Sequence, residues 1–298
     1  MKEKKNSTPG LKIGIVGLGL IGGSFGRALL KKTPHQVFGC DIGERIVGAA
    51  KLVGAVSGEL TDERVPELDI LLFAVNPRVT AKLLKEYVPR LKAGCIVTDA
   101  GGLKRSVAAA MKKLTKKYPE VQFIGAHPMA GKEFSGLAHS SAALFEGASA
   151  LLVPINASLP AVDSLKKLFT ALGFKSCKVT TAADHDRMIA YTSQLCHVIS
   201  SCYCLNPLAA AHDGFSAGSF RDLTRVARLS PQMWTELFCD NAENLSAVLD
   251  DFLQELTGLK KAIEAQNEES VYQILASATA KKEEIDKAGR LANRSDVR

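Results

Sequence analysis

The sequence predicts an α/β domain built on a doubly wound, mostly parallel sheet, followed by an all-α domain. Three observations predict it. Short, continuously apolar runs alternate with helical stretches as far as Thr180, the pattern of strands buried on both faces by crossover helices. A glycine-rich turn, Gly17-Leu18-Gly19-Leu20-Ile21-Gly22, joins the first run to the first helical stretch. From about Thr181 the strand signals stop and helical periodicity takes over.

Taken in order, Leu11–Gly17, Gln36–Asp41, Asp69–Val75, Gly94–Asp99, Val121–Ala126, Ala148–Pro154 and Lys175–Thr180 read as strands. Gly22–Lys31, Glu44–Leu52, Val79–Leu91, Lys104–Lys117 and Pro160–Leu172 read as the helices between them. Beyond Thr181, Ser230-Pro231 pairs an N-cap with proline at the first helical position. Asn206-Pro207 and Asp213-Gly214 punctuate the helices, and Leu245, Leu249, Phe252, Leu253 and Leu256 recur at helical spacing. The expected organisation is a flexible tail over 1–10, the α/β domain over 11–180 and the helical domain over 181–298.

Bulk properties narrow the function. The 298 residues suffice for two domains, and 46% hydrophobic with 23% charged content is that of a soluble globular chain. Runs such as Ile70–Val75 are far too short to cross a bilayer. The Lys-rich start has no apolar segment of the signal-peptide kind, so a cytoplasmic protein is expected. Seven cysteines at these spacings suggest neither a disulfide framework nor a metal site, and buried reduced thiols are expected. The net charge of +7 comes from scattered Lys and Arg without interleaved aromatics. That argues against a nucleic-acid partner and suits a small anionic substrate.

The glycine-rich turn is a full G-x-G-x-x-G, following a strand and opening a helix. Gly17 makes the tight turn, Gly19 lets a pyrophosphate approach the backbone, and Gly22 lets the helix pack against the strand. The helix N-terminus then offers N–H groups to the phosphates, with Leu18, Leu20 and Ile21 filling the turn. Asp41 ends the second strand nineteen residues after Gly22. A carboxylate there bonds a ribose diol and repels a 2′-phosphate, favouring NAD over NADP, a preference that nearby Arg45 softens. Ala74-Val75-Asn76-Pro77 is expected to wall the cofactor, with Val75 and Pro77 touching it.

Gly125-Ala126-His127-Pro128-Met129-Ala130-Gly131-Lys132-Glu133 follows a strand and so lies at the carboxyl edge of the sheet. A histidine there suits general base work at neutral pH; a turn-capping histidine is the competing reading.

The run Gly125–Glu133 closely resembles the H-P-M-A-G-x-E motif of prephenate and arogenate dehydrogenases. Gly17–Ser24 is similar to that family's nucleotide turn. His185-Asp186-Arg187 with Ser193-Gln194-Leu195-Cys196-His197 resembles its H-D-x…S-H-x-x-H helix, and Ser219–Ala227 with Trp234 resembles its G-F-R-D-x-T-R-I-A…W segment. The resemblance runs from about Leu11 to beyond Asn241. It implies an NAD-dependent oxidative decarboxylation in tyrosine biosynthesis, acting on prephenate, or on arogenate, which has an ammonium where prephenate has a keto group. It implies His127 as the base for the ring hydroxyl, Arg225 as a carboxylate clamp, His197 as a hydrogen-bond partner of substrate or cofactor, and Gly131, Lys132 and Glu133 as the substrate-side loop. It also implies a homodimer through the helical domain. Arg225 equally fits an ion pair with Asp222, and His197 fits a packing histidine.

Two positions depart from the family pattern. Gly102 stands where the family carries a serine able to bond the catalytic histidine and the substrate hydroxyl; a water or Ser106, one helical turn on, are the candidate replacements. Gln194 stands where the family often has a histidine, and it hydrogen-bonds without titrating. Two rival classes remain. A β-hydroxyacid dehydrogenase would want a lysine in the helical domain near His197, where none is found. A non-catalytic NAD sensor is suggested by Gly102 alone. No βαββαβ pattern follows the helical domain and no mutase-like segment precedes the first strand, so any inhibition by tyrosine is expected to act in the active site.

Overall fold

The computed structural model describes residues 10–295. The expected tail over 1–10 lies, apart from Gly10, outside them. Among the described residues the strands are β1 Lys12–Val16, β2 Gln36–Cys40, β3 Gly58–Glu59, β4 Ile70–Phe73, β5 Ile96–Asp99, β6 Gln122–Pro128, β7 Ser149–Pro154 and β8 Ser176–Val179. They form one sheet in the order β3-β2-β1-β4-β5-β6-β7-β8. Every pairing is parallel except β6 with β7. The reversal from β1–β2 to β1–β4 is the topological switch point, where such sheets open a crevice at their carboxyl edge.

The helices between the strands are α1 Leu20–Lys32, α2 Glu44–Leu52, α3 Pro77–Tyr87, α4 Arg105–Thr115 and α5 Leu159–Leu172. They cover both faces. On one face Phe25 of α1, Phe145, Phe169 of α5 and Phe174 meet with ring centroids 4.3–6.2 Å apart. On the other, Phe73, Leu84, Val88, Met111 and Phe123 are fully buried. Asn76 and Ser158 cap α3 and α5 through their oxygens, each with proline in the first turn.

After β8 come α6 Ala182–Ile189, a π-helical turn Ala190–Leu195, and α7 Cys196–Cys204, which continue one another, then α8 Gly218–Thr224 and α9 Pro231–Asp240. Ser230 caps α9 through Met233 N–H. Contacts divide the chain into two compact units, Met1–Asn241 and Ala242–Arg298. The change of pattern at Thr181 falls inside the first unit, because α6 packs on α4 of the sheet layer. The second unit is α10 Ala242–Glu264 and α11 Glu268–Ser295, which pack together around a turn with Gln266 at φ 49°. On α10 Leu245 is buried, whereas Leu253 and Leu256 of the same periodic set are 53% and 49% exposed in the single chain.

Two expectations need correction. Buried thiols were expected throughout, but only Cys95 is buried; Cys40 and Cys177 are half-buried, and Cys196, Cys202, Cys204 and Cys239 are exposed on the helical segment. A strand ending at Ala126 was expected, but β6 runs on to Pro128. Its parallel pairing with β5 stops at Ile124, while its antiparallel pairing with β7 carries it from Ile124 to Pro128. His127 therefore stands on an overhanging strand end, held opposite Leu151. No helix among the described residues is long and apolar enough to cross a membrane.

Candidate active site

The glycine-rich turn begins where β1 ends. Gly17 has φ 92°, which disfavours any side chain, and a Cβ at Gly22 would lie 1.9 Å from the Gly17 carbonyl oxygen. Gly19 faces open space, with nothing within 4 Å of a Cβ built there. The N-terminus of α1 has no side-chain cap, so its first N–H groups are free to meet an anion. These features fit a dinucleotide pyrophosphate. Asp41 donates nothing but accepts twice: Leu18 N–H at 2.7 Å on Oδ2 and Gly43 N–H at 3.0 Å on Oδ1. It thereby ties the β2 end to the turn, and each oxygen keeps a second lone pair for a ribose diol.

A cleft of about 990 Å³ opens beside the turn. Gly19, Leu20 and Ile21 line its cofactor end. His127, Gly131, Lys132 and Glu133 line it from the β6 side, and His197 and Arg225 from the helical side. Residues from both halves of the sequence thus meet in one cavity. Gly17, Leu18, Gly22, Asp41, Val75 and Pro77, also expected at the cofactor, do not line this cleft; Val75 packs within 2.5 Å of where a Gly17 Cβ would be, and Pro77 starts α3.

The chain behind His127 is unexpected. His127 Nδ1 lies 2.9 Å from His185 Nε2, and His185 Nδ1 lies 2.7 Å from Asp186 Oδ1. His185 and Asp186 are each 1% exposed. The Asp186 carboxylate accepts Lys104 N–H at 2.7 Å and Arg105 N–H at 2.9 Å, the amino end of α4. Beneath them the Lys104 ammonium pairs with Asp99, both fully buried. Asp99 also accepts Gly101 N–H and Ala126 N–H. Burial, then the Lys104 charge, then His185 hold His127 well below the usual histidine range, so it is neutral at physiological pH. Burial and Asp99 act in opposite directions on Lys104, and burial prevails, pulling it down.

On the helical side, His197 gives its Nδ1 hydrogen to the Val226 carbonyl at 2.8 Å, leaving Nε2 bare, and its ring packs on Trp234 with centroids 3.8 Å apart. Burial lowers its pKa, the Val226 carbonyl opposes this, and Arg225 adds to it. Arg225 pairs with Glu133 at 3.1 Å rather than with Asp222, so the two expected substrate-side charges hold each other across the cleft. Gln194 is buried: its Nε2 donates to the Leu237 carbonyl and its Oε1 accepts from Asn241, which also donates to the Asp186 carbonyl. Gly102 lines the cleft, whereas Ser106 is exposed on α4 and does not line it.

Asp99, Lys104, His185 and Asp186 were given no role from sequence. His185 and Asp186 carried a signal as the H-D pair of the family-like helix, and Lys104 as a lysine at a helix N-terminus, where it opposes the helix dipole and needs a reason.

Family models described as the prephenate dehydrogenase nucleotide-binding domain and the prephenate dehydrogenase dimerization domain match residues 25–178 and 181–277. The cyclohexadienyl dehydrogenase of Zymomonas mobilis is 32% identical over 269 residues, 86% of this chain and 89% of that protein. The structure of prephenate dehydrogenase from A. aeolicus, in complex with hydroxyphenyl propionate and NAD+, superposes with TM-score 0.80 at 25% identity, over 94% of this chain and all of that one. The Synechocystis arogenate dehydrogenase superposes with TM-score 0.78 at 25% identity, over 92% of this chain and all of that one.

Proposed function

The chain belongs to the prephenate dehydrogenase family, and from that premise we propose that it converts prephenate to 4-hydroxyphenylpyruvate by NAD-dependent oxidative decarboxylation, in tyrosine biosynthesis. The observation that carries the reading is a neutral histidine, His127, in a cleft shared with the glycine-rich turn and with Arg225 and His197.

Gly17, Gly19, Gly22 and the start of α1 hold the dinucleotide, Asp41 its ribose, with Val75 and Pro77 as the wall behind. NAD, when bound, supplies the hydride acceptor. Arg225 takes a substrate carboxylate in its planar fork, exchanging Glu133 for the ligand. Lys132 and Gly131 close the loop over the ring, and the bare Nε2 of His197 accepts from a donor on substrate or cofactor. His127 takes the C4 hydroxyl proton as hydride leaves C4. The resulting dienone loses the ring carboxylate as carbon dioxide, the electron pair of that bond aromatises the ring, and the phenolate oxygen so formed takes the proton back from His127.

The second reading is arogenate as substrate; its support is the likeness to an arogenate dehydrogenase. NADH formation followed spectrophotometrically with prephenate and arogenate, each with NAD and NADP, decides between them. Turnover of neither sinks both readings and leaves the binding protein. We further propose a cytoplasmic homodimer joined through the helical segment. The dimerization-domain match and the exposed Leu253 and Leu256 of α10 support it.

A further inference from the structure

We infer that His185 and Asp186 form a positioning dyad that dictates which nitrogen of His127 is bare, keeping that ring in the form able to accept the substrate's hydroxyl proton. This rests on His127 being the base of the reaction proposed above.

The argument starts at the amino end of α4. Two backbone N–H groups, of Lys104 and Arg105, donate to the Asp186 carboxylate at 2.7 and 2.9 Å. A carboxylate only accepts. His185 Nδ1, 2.7 Å from Asp186 Oδ1, is therefore the donor. A neutral His185 then presents Nε2 as a lone pair. His127 Nδ1, 2.9 Å away, has no option but to donate to it. With its hydrogen on Nδ1, His127 keeps Nε2 bare. The hydrogen placement thus propagates from a helix terminus through two rings to the cleft.

Lys104, paired with Asp99, and His185 act on His127, and both oppose a proton there; Asp186 lies one ring behind the imidazolium that forms as the substrate proton arrives. The alternative state is informative. A protonated His185 would donate Nε2–H to His127 and drive the His127 hydrogen onto Nε2, where it blocks the base. The Gly102 position adds a reason for the dyad to matter here: no side-chain hydroxyl at that position is available to orient His127.

The test is the imidazole nitrogen spectrum of the full chain, labelled with 15N-histidine, at pH 8, read by long-range proton–nitrogen correlation. His127→Asn assigns the His127 signals by their loss. The expected result is His127 and His185 both protonated on Nδ1 alone. A His127 protonated on Nε2, or an even mixture of the two forms, overturns the dyad whatever the enzyme turns over. The kinetic arm is His185→Phe, which removes the acceptor, against His185→Gln, whose amide oxygen replaces it. His185→Phe is expected to move the His127 hydrogen onto Nε2 and to lower kcat by roughly 10²–10⁴-fold with KM little changed, while His185→Gln restores most of the loss. Equal loss in both variants with an unmoved tautomer means a packing role only. If His185→Phe does not fold, the wild-type spectrum still decides. Failure of the proposed reaction is read separately, as no NADH formation from a wild-type protein whose His127 shows the expected form.

Discussion

His127 gathers the most consequences at the scale of single residues. Its pKa is depressed, so kcat/KM on the acid side is expected to hold below pH 6.5 and fall only as pH drops through the lowered value; an acid limb centred above 6.5 would contradict a buried neutral base. The same burial acts on stability. His35, His127 and His197 all lie below the ordinary histidine value of 6.5, with burial the first cause in each. Above pH 6.5 neither folded nor unfolded chain protonates them. Below it the unfolded chain takes up protons that the fold refuses, so stability is lost as pH falls. Urea midpoints at pH 7.5 and 5.5 check this, with the lower midpoint expected at 5.5. Arg225→Gln should raise the substrate KM at least about tenfold through loss of a charged fork, and Glu133→Gln should lower it by up to about fivefold by freeing that fork. Steady-state kinetics separate the two, and matched changes in the same direction would refute the exchange. A Cβ at Gly102 meets only Leu237, at 3.6 Å, so serine fits there. Gly102→Ser is expected to raise kcat by up to about fivefold, one hydrogen bond's worth; an unchanged rate dismisses the missing hydroxyl. His127, His197 and Arg225 were legible because each sits in a motif. The pairs His127–His185 and Arg225–Glu133 were not, because their partners lie 58 and 92 residues apart and nothing local encodes them.

At the scale of elements, apolar runs located seven of the eight strands and the five helices between them, since burial on both faces leaves a one-dimensional trace. Strand ends were less legible. The run beginning at Val121 loses its apolar continuity at His127, yet β6 continues because β7 lies alongside it. Pairing across the sheet decided that end, and it is the end that carries the base. The short β3 had no apolar trace at all. The buried Lys104–Asp99 pair bolts the start of α4 to the end of β5. Gly125 makes room for it, since a Cβ there would lie 3.2 Å from Lys104 Cδ and 3.4 Å from Asp99 Oδ1. Lys104→Met would leave the Asp99 charge buried and unpaired, a loss of about 3–5 kcal/mol measurable by chemical denaturation. A change under about 1 kcal/mol would show that the pair is not needed for folding.

At the scale of the whole molecule, the chain's excess of seven positive charges and its proposed dianionic substrate should meet faster at low salt. A kcat/KM that does not fall between about 20 and 300 mM salt would confine the attraction to the cleft itself. The proposed dimer has a direct test in sedimentation. The wild type is expected as a dimer at micromolar concentration, and the double substitution Leu253→Asp, Leu256→Asp is expected to weaken association, both positions being about half exposed in the single chain. Sedimentation of the wild type as a monomer would end the proposal. The sequence pattern changes at Thr181, but the compact division comes at Asn241. Periodicity reports which kind of element a segment forms; it does not report what that element leans on, and α6 leans on the sheet layer.

The π-helical turn Ala190–Leu195 bears on how the length of this chain can vary. A π turn holds one more residue than the α turn it replaces, and it joins the helix of His185 to the helix of His197. The segment between the two histidines is thus one residue longer than a regular helix needs. Deleting Thr192, which is exposed and whose hydroxyl bonds the Met188 carbonyl, should return the turn to α-helix and leave both rings facing where they do now. A deletion in a helix through a catalytic cleft would ordinarily abolish function; here the expected outcome is a folded protein that keeps its turnover, and a collapse of either would show that the extra residue is needed where it stands.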